Sequence, residues 1–535
     1  MAAQDSPLLI GQLLLTPLAT SPHREIVYRD LVRHDYRTMR DRIGRLAGFL
    51  SGLGVEHGDV VAVMDWDSHR YLEAYFAIPM MGATLMTVNV RLSPEQILYT
   101  VNHAEARVLL VHGDFLPLVE KLRPHLPQIE TFVLLTDTPA PAPPGFDAEY
   151  EGGLAAASPH FPFESFDENT RATLFYTTGT TGLPKGVTFT HRQLVLHTLA
   201  AAAGLGRSAE QGRVHRESVY MPMTPMFHVH AWGVPYLATM LGLKQVYPGR
   251  YVPDMLAKLI AQEKVSFSHG VPTVLQMLLA CPEAATIDLS GLTMVVGGSA
   301  LPRGLAAAAL ARGIDIFAGY GLSETCPLLT VAQLDSDGLG DAESELDLRI
   351  CAGQPVPLVD LRIVDEAMRI QPANGAAQGE VVARAPWLTS GYYKDPEASE
   401  RLWAGGYLHT NDIGTLDERG NLRITDRLKD VIKTGGEWIS SLELESLISR
   451  HPAVAESAVI AVKDAHWGER PLALVVAKPG QTIDPAALQA HLQTFVATGE
   501  ISKYAVPERV LSVEAIDKTS VGKVDKKLLR QKYGA

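Results

Sequence analysis

Short apolar runs rich in valine and leucine alternate along the chain with longer segments in which apolar residues recur at helical spacing. Residues 60–64, 108–111 and 132–135 are typical of buried strands, and residues 37–53 carry the periodicity of an amphipathic helix. Strands that alternate with helices usually form parallel sheets whose faces the helices cover. The pattern therefore predicts an α/β fold with largely parallel sheets.

The pattern changes near residue 430. Residues 421–424 are typical of a last strand of the large region, and a helical segment at 440–449 and apolar runs at 458–462 and 472–476 lie beyond it. This tail has the size of a small domain. We predict a large N-terminal region of packed α/β sheets over residues 1–428 and a smaller C-terminal α+β domain over residues 429–535.

Composition restricts the class of partner. The 535 residues are 46% hydrophobic and 20% charged, as in soluble globular proteins, and the length predicts more than one core. A net charge of −13 argues against a nucleic-acid partner but leaves room for a nucleotide, because one small site needs only local positive charge. Three cysteines without a CxxC pair indicate a reducing compartment, so we expect a cytoplasmic protein.

Two apolar segments raise the question of a membrane span or a signal peptide. Residues 74–90 contain Pro79 and Gly82, which favours a buried helix that turns into a strand. The N-terminal segment has no basic region ahead of its apolar stretch, and Asp5 and Pro7 interrupt it. An amphipathic helix on the surface is therefore favoured over a signal peptide, and we expect no integral membrane span.

The segment FYTTGTTGLPKG, residues 175–186, places glycines, threonines and one lysine after an apolar run. Its spacing does not match the Walker A pattern, because Pro184 precedes Lys185 and no serine or threonine follows. Exposed backbone amides, hydroxyls and the lysine can still bind a phosphate. Considered alone, such a loop is about as often a turn without a ligand.

Further polar and glycine-rich segments follow this loop. They are VVGGSALP at 295–302, FAGYGLSET at 317–325, HTND at 409–412, DRLKDVIKTGGEW at 426–438 and TSVGK at 519–523. In this order, and over essentially the whole chain, they resemble the adenylate-forming superfamily of acyl-CoA synthetases, peptide-synthetase adenylation domains and beetle luciferases. PMFHVHAW at 225–232 and GGEWIS at 435–440 make medium- and long-chain fatty acyl-CoA synthetases the most similar branch.

The resemblance implies an ATP-dependent fatty acid–CoA ligase. A carboxylate attacks the α-phosphate of ATP to give an acyl-adenylate and pyrophosphate, and the thiol of CoA then displaces AMP. Mg²⁺ is expected at Thr177 and Glu324, adenine against Tyr320, and both ribose hydroxyls at Asp412. Nucleotide contacts are implied for Thr177, Thr178, Gly179, Thr180, Thr181, Lys185, Gly298, Ser299, Ala318, Gly319, Tyr320, Gly321, Ser323, Asp412, Arg427, Lys429, Lys433 and Trp438.

Catalytic roles are implied for Lys523, Glu324 and His228. An ammonium group between the substrate carboxylate and the α-phosphate lowers their repulsion, which is the role implied for Lys523. Lys429 lies where the family hinges, so the C-terminal domain is expected to be mobile and to rotate between the half-reactions. The chain departs from the family pattern at Asn411, where glycine is usual, and at residues 517–518, where Pro-Arg is usual.

The acyl-binding residues implied by the resemblance are His228, Trp232, Gly298 and Gly319, with Trp232 as a gate at the start of a helix. No arginine or aspartate stands in this segment to pair with an amino acid, which disfavours a peptide-synthetase domain. Two alternatives stay open: a CoA ligase for an aryl or short thioether acid, and a catalytically idle nucleotide-binding homologue. The resemblance also implies a homodimer.

Overall fold

The computed structural model describes residues 6–138, 141–177, 183–207, 213–334, 341–434, 437–464, 466–518 and 524–534, with the backbone alone for Glu437 and Trp438. The strands in chain order are β1 (Glu25–Tyr28), β2 (Val32–Asp35), β3 (Val60–Met64), β4 (Thr84–Thr87), β5 (Val108–His112), β6 (Thr131–Leu135), β7 (Ala148–Glu149), β8 (Arg171–Tyr176), β9 (Gly186–Thr190), β10 (Val219–Met223), β11 (Lys244–Tyr247), β12 (Phe267–Gly270), β13 (Thr293–Val296), β14 (Asp315–Gly321), β15 (Leu328–Val331), β16 (Gln354–Pro355), β17 (Asp360–Val364), β18 (Gly379–Arg384), β19 (Leu408–Leu416), β20 (Leu422–Arg427), β21 (Ile432–Thr434), β22 (Glu437–Ile439), β23 (Val454–Asp464), β24 (Gly468–Ala477) and β25 (Arg509–Ser512).

The helices in chain order are α1 (Leu15–Thr20), α2 (Tyr36–Gly52), α3 (His69–Met80), α4 (Pro94–Ala104), α5 (Leu116–Leu122), α6 (Tyr150–Ala156), α7 (His191–Leu205), the single turn α8 (Val229–Trp232), α9 (Val234–Met240), α10 (Pro253–Glu263), α11 (Pro272–Ala280), α12 (Pro282–Ala285), α13 (Arg303–Ala311), α14 (Ala342–Ile350), α15 (Pro396–Leu402), α16 (Ser441–Ser449), α17 (Pro485–Thr498) and α18 (Lys526–Tyr533). Short 3-10 helices span Ile10–Leu14, Gly113–Phe115, Arg123–His125, Ser323–Thr325, Ala404–Gly406 and Lys503–Ala505.

Two large sheets form the N-terminal region. The seven-stranded sheet has the order β7-β6-β5-β3-β4-β8-β9 and is parallel except for β9. The nine-stranded sheet has the order β16-β15-β14-β13-β12-β10-β11-β1-β2, with a parallel centre and antiparallel strands at its edges. The expected α/β fold with largely parallel sheets is confirmed.

One core joins the two large sheets. Its buried residues include Val61 from the first sheet and Phe317 from the second, together with side chains of α2, α3, α7 and α9. Helix α2 begins after Asp35, whose side chain accepts a 2.8 Å hydrogen bond from the Thr38 amide. Its buried residues recur at helical spacing, because one stripe of an amphipathic helix faces the core.

A smaller unit follows the four-stranded antiparallel sheet β17-β18-β19-β20. It contains a five-stranded sheet in which β25 pairs with β24, and helices α16, α17 and α18. Its two apolar clusters contain only residues from Ile432 onwards. The expected smaller C-terminal α+β unit is thus present, while the boundary at 428/429 and its mobility stay predictions.

Three local expectations can be compared with the structure. The segment 74–90 is a buried helix, α3, that leads into β4, as expected. The N-terminal segment is amphipathic, as expected: its 3-10 helix buries Ile10, Leu13 and Leu14 in the main core, whereas α1 buries only Pro17 and leaves Leu15 66% exposed. Within the part of the chain that the structure describes, no helix is long and apolar enough to cross a membrane.

Candidate functional site

The motif segments meet where the central strands of the nine-stranded sheet end. Strands β12, β13 and β14 are parallel neighbours, and the glycine-rich segments 297–302 and 319–325 come at or just after the ends of β13 and β14. Parallel sheets bind ligands outside the carboxyl ends of their strands. This edge is therefore where a ligand site is expected.

Tyr320 and Asp412 form the centre of the candidate nucleotide site. The Tyr320 hydroxyl donates a 2.8 Å hydrogen bond to Asp412 Oδ2, and Arg427 Nε lies 3.3 Å from Oδ1. Asp412 is 4% exposed, and burial together with its charge raises the pKa of Tyr320. The contact joins β14 of the nine-stranded sheet to β19 of the four-stranded sheet. The two residues expected at adenine and ribose are thus in direct contact.

The polar segment 409–412 lies inside β19. Asn411 has a φ of 58°, and its carbonyl accepts a 2.9 Å hydrogen bond from the Leu428 amide. Glycine adopts positive φ freely, and asparagine does so more readily than most other residues. The departure from the usual glycine is therefore accommodated without displacing Asp412.

Glu324 is linked to the threonine-rich loop through Tyr392. The Tyr392 hydroxyl donates a 2.7 Å hydrogen bond to Glu324 Oε1, and the ammonium group of Lys185 lies 4.4 Å from the centre of the Tyr392 ring. The Thr177 amide in turn donates to the Lys185 carbonyl at 2.9 Å. Carboxylate and hydroxyl oxygens are the ligands that a hard dication prefers, so Glu324 and Thr177 fit Mg²⁺ chemically.

Some of the expected residues lie outside the described residues. They are Thr178, Gly179, Thr180, Thr181 and Lys523, and for Trp438 only the backbone is described. A bridge pairs Lys518 with Val524, and the Asp525 amide donates to the Asp517 carbonyl at 2.8 Å. These contacts bring together the two ends of the segment that contains Lys523. Asp517 and Lys518 therefore pair with the residues that directly follow Lys523 in the chain, Val524 and Asp525.

The acyl-site motif is a left-handed turn, not the start of a helix. Val229, His230, Ala231 and Trp232 all have φ between 46° and 59°, and right-handed helix α9 begins only at Val234. Left-handed backbone costs roughly 1–2 kcal/mol for each such residue. The turn is held by burial, because His230 is fully buried among aromatic rings such as Phe175, 5.1 Å away. Strained backbone of this kind is typical of ligand sites.

The loop before this turn is fixed by the seven-stranded sheet. The Met226 amide donates to Asp67 Oδ1 at 2.8 Å, and the Thr87 hydroxyl donates to the Phe227 carbonyl at 2.9 Å. Tyr75 donates a further hydrogen bond to the Met226 carbonyl. Side chains from β4, from helix α3 and from the loop between β3 and α3 thus hold the segment that carries the half-buried His228.

Trp232 lies over the ends of β12 and β13. Its ring centre is 5.0 Å from that of His269, and a Cβ placed on Gly297 would lie 3.1 Å from the indole and 2.6 Å from the Gly319 carbonyl oxygen. Only a residue without a side chain fits between the indole and β14 at position 297. Trp232 and Gly319 are therefore brought together, as the acyl-site expectation requires.

The remaining candidates are placed as follows. Gly298 has a φ of 79°, Ala318 is buried in β14, and a Cβ on Gly321 would overlap the Pro327 carbonyl. Ser323 begins the 3-10 helix that presents Glu324, and Ser299 is exposed. These positions line the same sheet edge.

Lys433 belongs to the C-terminal unit, where its amide donates to Glu469 Oε2 at 2.9 Å. Lys429 lies in the connection, between Asp426 and Asp430, each of which contacts a helix of the C-terminal unit. Arg530 on α18 pairs with Asp430 at 2.7 Å, and the Ser441 amide on α16 donates to Asp426 Oδ2 at 2.5 Å. The nucleotide contacts of Lys429 and Lys433 stay predictions.

Sequence reasoning missed Tyr392 and His269. Tyr392 lies in the segment SGYYKDP, whose adjacent tyrosines in a polar stretch were the available signal. His269 is the next-to-last residue of buried strand β12. Its Nε2 is hydrogen-bonded to the Tyr220 hydroxyl at 2.8 Å, and its ring lies against that of Trp232. Nothing near it in the sequence marks it, because its partners come from distant segments.

We expect the free energy of unfolding of His269→Gln to fall less steeply than that of the wild type as the pH is lowered. Burial lowers the pKa of His269 from 6.5 to about 3, so the unfolded chain takes up a proton at higher pH than the folded chain. The contribution of His269 to the free energy of unfolding is complete above pH 6.5. Below that pH it is lost by about 1.4 kcal/mol per pH unit. Urea unfolding at pH 7.5, 6 and 5 measures this, and parallel losses in variant and wild type would contradict it.

Comparison with known proteins agrees with this geometry. The family model described as AMP-binding enzyme matches residues 16–393, and that described as AMP-binding enzyme C-terminal domain matches residues 443–523. A long-chain-fatty-acid–CoA ligase of Thermus thermophilus is 42% identical, over 99% of this chain and 96% of that protein. A 3-methylmercaptopropionyl-CoA ligase of Ruegeria pomeroyi is 39% identical, over 92% of this chain and 90% of that protein.

A solved structure has the same fold over nearly the whole length. The crystal structure of an anthranilate CoA ligase in complex with anthranoyl-AMP has a TM-score of 0.86 and 25% identity, and the match covers 99% of both chains. Because one family model covers most of the chain and a second covers the C-terminal unit, this protein belongs to the family of AMP-binding enzymes.

Proposed function

We propose that the protein is an ATP-dependent fatty acid–CoA ligase that works through an acyl-adenylate. One observation carries this proposal: three of the expected site residues lie within the ten residues from Ala318, at the end of β14. They are Gly319, whose carbonyl lies beside Trp232, Tyr320, which contacts Asp412, and Glu324. The residues proposed to contact adenosine, phosphate and the acyl group are thereby adjacent. That is the arrangement which joining a carboxylate to the α-phosphate of ATP requires, since proximity supplies much of the rate.

In the first half-reaction, Asp412 accepts from the ribose hydroxyls and Arg427 adds positive charge beside them. Lys185 and the threonine-rich loop bind the outgoing pyrophosphate, and Lys523 neutralises the two reacting oxyanions. Mg²⁺ held by Glu324 and Thr177 would supply further charge neutralisation at the phosphates. The protein's part is to orient the carboxylate in line with the α-phosphorus and to keep water away.

In the second half-reaction, the C-terminal unit is proposed to rotate about Lys429. Two polar contacts flank that residue: Arg530 pairs with Asp430 at 2.7 Å inside the C-terminal unit, and the Ser441 amide donates to Asp426 Oδ2 at 2.5 Å across the connection. A rotation about Lys429 would separate Ser441 from Asp426. Rotation would remove Lys523 and admit CoA, whose thiol attacks the acyl carbonyl and releases AMP.

The acid is proposed to be a medium- or long-chain fatty acid. The support is the indole of Trp232, which packs beside His269 and Gly297, and the 42% identity to a ligase named for long-chain fatty acids. A short thioether acid is the second candidate, because the ligase named for 3-methylmercaptopropionate is 39% identical. The tight packing of Trp232 on Gly297 also favours a shallow site until the indole moves.

An acid panel tests the proposal. Purified protein is incubated with ATP, Mg²⁺, CoA and acids from C3 to C18, 3-methylmercaptopropionate and cinnamate, and both pyrophosphate and acyl-CoA are measured. The highest kcat/KM is expected with an acid of eight carbons or more. A preference for the thioether would favour the second candidate, and no turnover with any acid would contradict ligase activity.

Gly297→Ala is expected to lower kcat/KM for the acid by about ten- to a hundredfold. The new Cβ would lie 2.6 Å from the Gly319 carbonyl oxygen and 3.1 Å from Trp232, and overpacking of this kind costs about 1–3 kcal/mol. Gly291→Ala is the matched control, because no atom lies within 4 Å of its added Cβ. Equal kinetics in the two variants would show that Trp232 and β14 do not border the acid.

A homodimer and a cytoplasmic location complete the proposal. Cys281, Cys326 and Cys351 are buried and unpaired, which suits a reducing compartment. Light scattering measures the oligomeric state against a chain mass of 58.0 kDa, with twice that mass expected.

A further inference from the structure

A cavity that none of the candidate nucleotide residues lines is bordered by several charged side chains and histidines. It has a volume of about 540 Å³ and lies where β1, β2 and the end of β6 meet α2, α3 and α6. Among the residues that line it are Tyr28, His34, Arg42, His69, Arg70 and Glu151. The proposed ligase chemistry uses none of these side chains, so the cavity needs a separate explanation.

We propose that His34, His69 and Glu73 bind a divalent transition-metal ion, with Zn²⁺ as the best match. His69 and Glu73 are four residues apart on α3 and therefore share one face of the helix. His34 approaches from β2, and its ring centre lies 5.5 Å from that of His69. One ligand atom from each of the three side chains lies within 4.8 Å of the other two.

The state of His69 points to a ligand in the cavity. Its side chain is 2% exposed, and among the described residues its Nδ1 has no hydrogen-bond partner. A buried polar atom without a partner is costly, and most such atoms in folded proteins are paired. A bound ion would give the imidazole a partner that the chain itself does not supply.

Glu73 is already oriented for this role. It accepts hydrogen bonds from Arg42 Nε at 2.6 Å, from a terminal nitrogen of Arg42 at 3.2 Å, and from the Tyr150 hydroxyl at 2.7 Å. A carboxylate has about four acceptor positions, so one remains. Carboxylates that bind metals are commonly held by outer hydrogen bonds of this kind.

Glu151 can orient the His69 ring. Its Oε1 lies 3.8 Å from His69 Nε2, on the other side of the imidazole from Nδ1, and Arg42 also holds it at 2.8 Å. A carboxylate at the second ring nitrogen commonly orients a metal-binding histidine. Glu73, Glu151 and Arg42 together carry one net negative charge, which favours a dication in the space beside them. Two imidazoles with carboxylates select Zn²⁺ over Mg²⁺ or Ca²⁺, which prefer oxygen ligands alone.

Binding requires one small movement. Zn–N bonds of about 2.0–2.1 Å in a tetrahedral site place neighbouring ligand atoms roughly 3.4 Å apart. The half-buried His34 must therefore turn toward α3, which the adjoining cavity permits. The ion would then connect β2, an edge strand of the nine-stranded sheet, to a helix packed on the seven-stranded sheet.

The test uses the full-length protein after treatment with a chelator. Isothermal titration with Zn²⁺ is expected to show one tight site per chain, and His34→Ala and His69→Ala are each expected to weaken it at least about tenfold. His160→Ala, at an exposed histidine, is the control and should bind as wild type does. Absence of a tight site, or equal affinity in all three variants, would overturn the proposal.

A second measurement does not depend on how the variants fold. Crystals of the wild-type protein soaked in Zn²⁺ should give an anomalous difference peak within bonding distance of His34 and His69. A peak only at another group, such as Asp254, Cys281 and Glu283, or no peak at all, would overturn the proposal.

Discussion

Lys523→Ala is expected to reduce the rate of acyl-adenylate formation by about a hundred- to a thousandfold. In the proposed mechanism, this ammonium group lies between two anions that must react, and loss of one such electrostatic contact costs about 3–4 kcal/mol in the transition state. Pyrophosphate release in a single turnover measures the step without interference from CoA. Transfer of a preformed acyl-adenylate to CoA should be nearly unchanged, because Lys523 is proposed to leave the site by then.

Lys527→Ala is the matched control for this variant. Lys527 lies four residues further along the same tail, on the exposed side of α18. Its removal tests whether general positive charge on the tail suffices. Equal losses in both half-reactions for Lys523→Ala, or equal effects of the two variants, would contradict the assigned role.

Asp412→Asn is expected to lower kcat/KM for ATP by about ten- to a hundredfold and to leave the KM of the acid nearly unchanged. Hydrogen bonds to a charged group contribute about 1.5–3 kcal/mol. The asparagine amide is uncharged and has only one acceptor oxygen, so it cannot replace the carboxylate at both ribose hydroxyls. Asparagine retains an oxygen for the Tyr320 hydroxyl, so the contact between the sheets is kept. Steady-state kinetics with varied ATP measures the effect.

A modified substrate makes this prediction specific. The wild-type protein should lose activity with 2′-deoxy-ATP, whereas Asp412→Asn should lose much less on the same change. Asp360→Asn is a control in the same four-stranded sheet, where Asp360 pairs with Arg362 at 2.7 Å. If 2′-deoxy-ATP lowered activity by the same factor in wild type and in Asp412→Asn, the ribose would not bind at Asp412.

Much of the fold follows from local periodicity. The helix predicted at 37–53 is observed as Tyr36–Gly52, because Met39, Ile43, Leu46 and Leu50 form one buried stripe. The order of strands could not be predicted in this way. Strand β1 pairs with β11, more than 200 residues later, and only tertiary packing selects that neighbour.

The site was predictable in its residue types and less so in its geometry. The motif order singled out Tyr320, Asp412 and Glu324, and the structure brings Tyr320 of the nine-stranded sheet into contact with Asp412 of the four-stranded sheet. The left-handed turn at Val229–Trp232 could not be predicted, because the same residues are compatible with the start of a helix and only their φ angles distinguish the two. The Tyr392–Glu324 contact joins residues 68 positions apart and has no local signature.

A crystal structure with a non-hydrolysable acyl-adenylate and Mg²⁺ tests the central claim most directly. We expect both ribose hydroxyls within hydrogen-bonding distance of Asp412, adenine against Tyr320, and the acyl chain passing Gly297 toward Trp232. The account would be contradicted if the adenylate bound elsewhere while Tyr320 and Asp412 kept their mutual contact and touched no part of it.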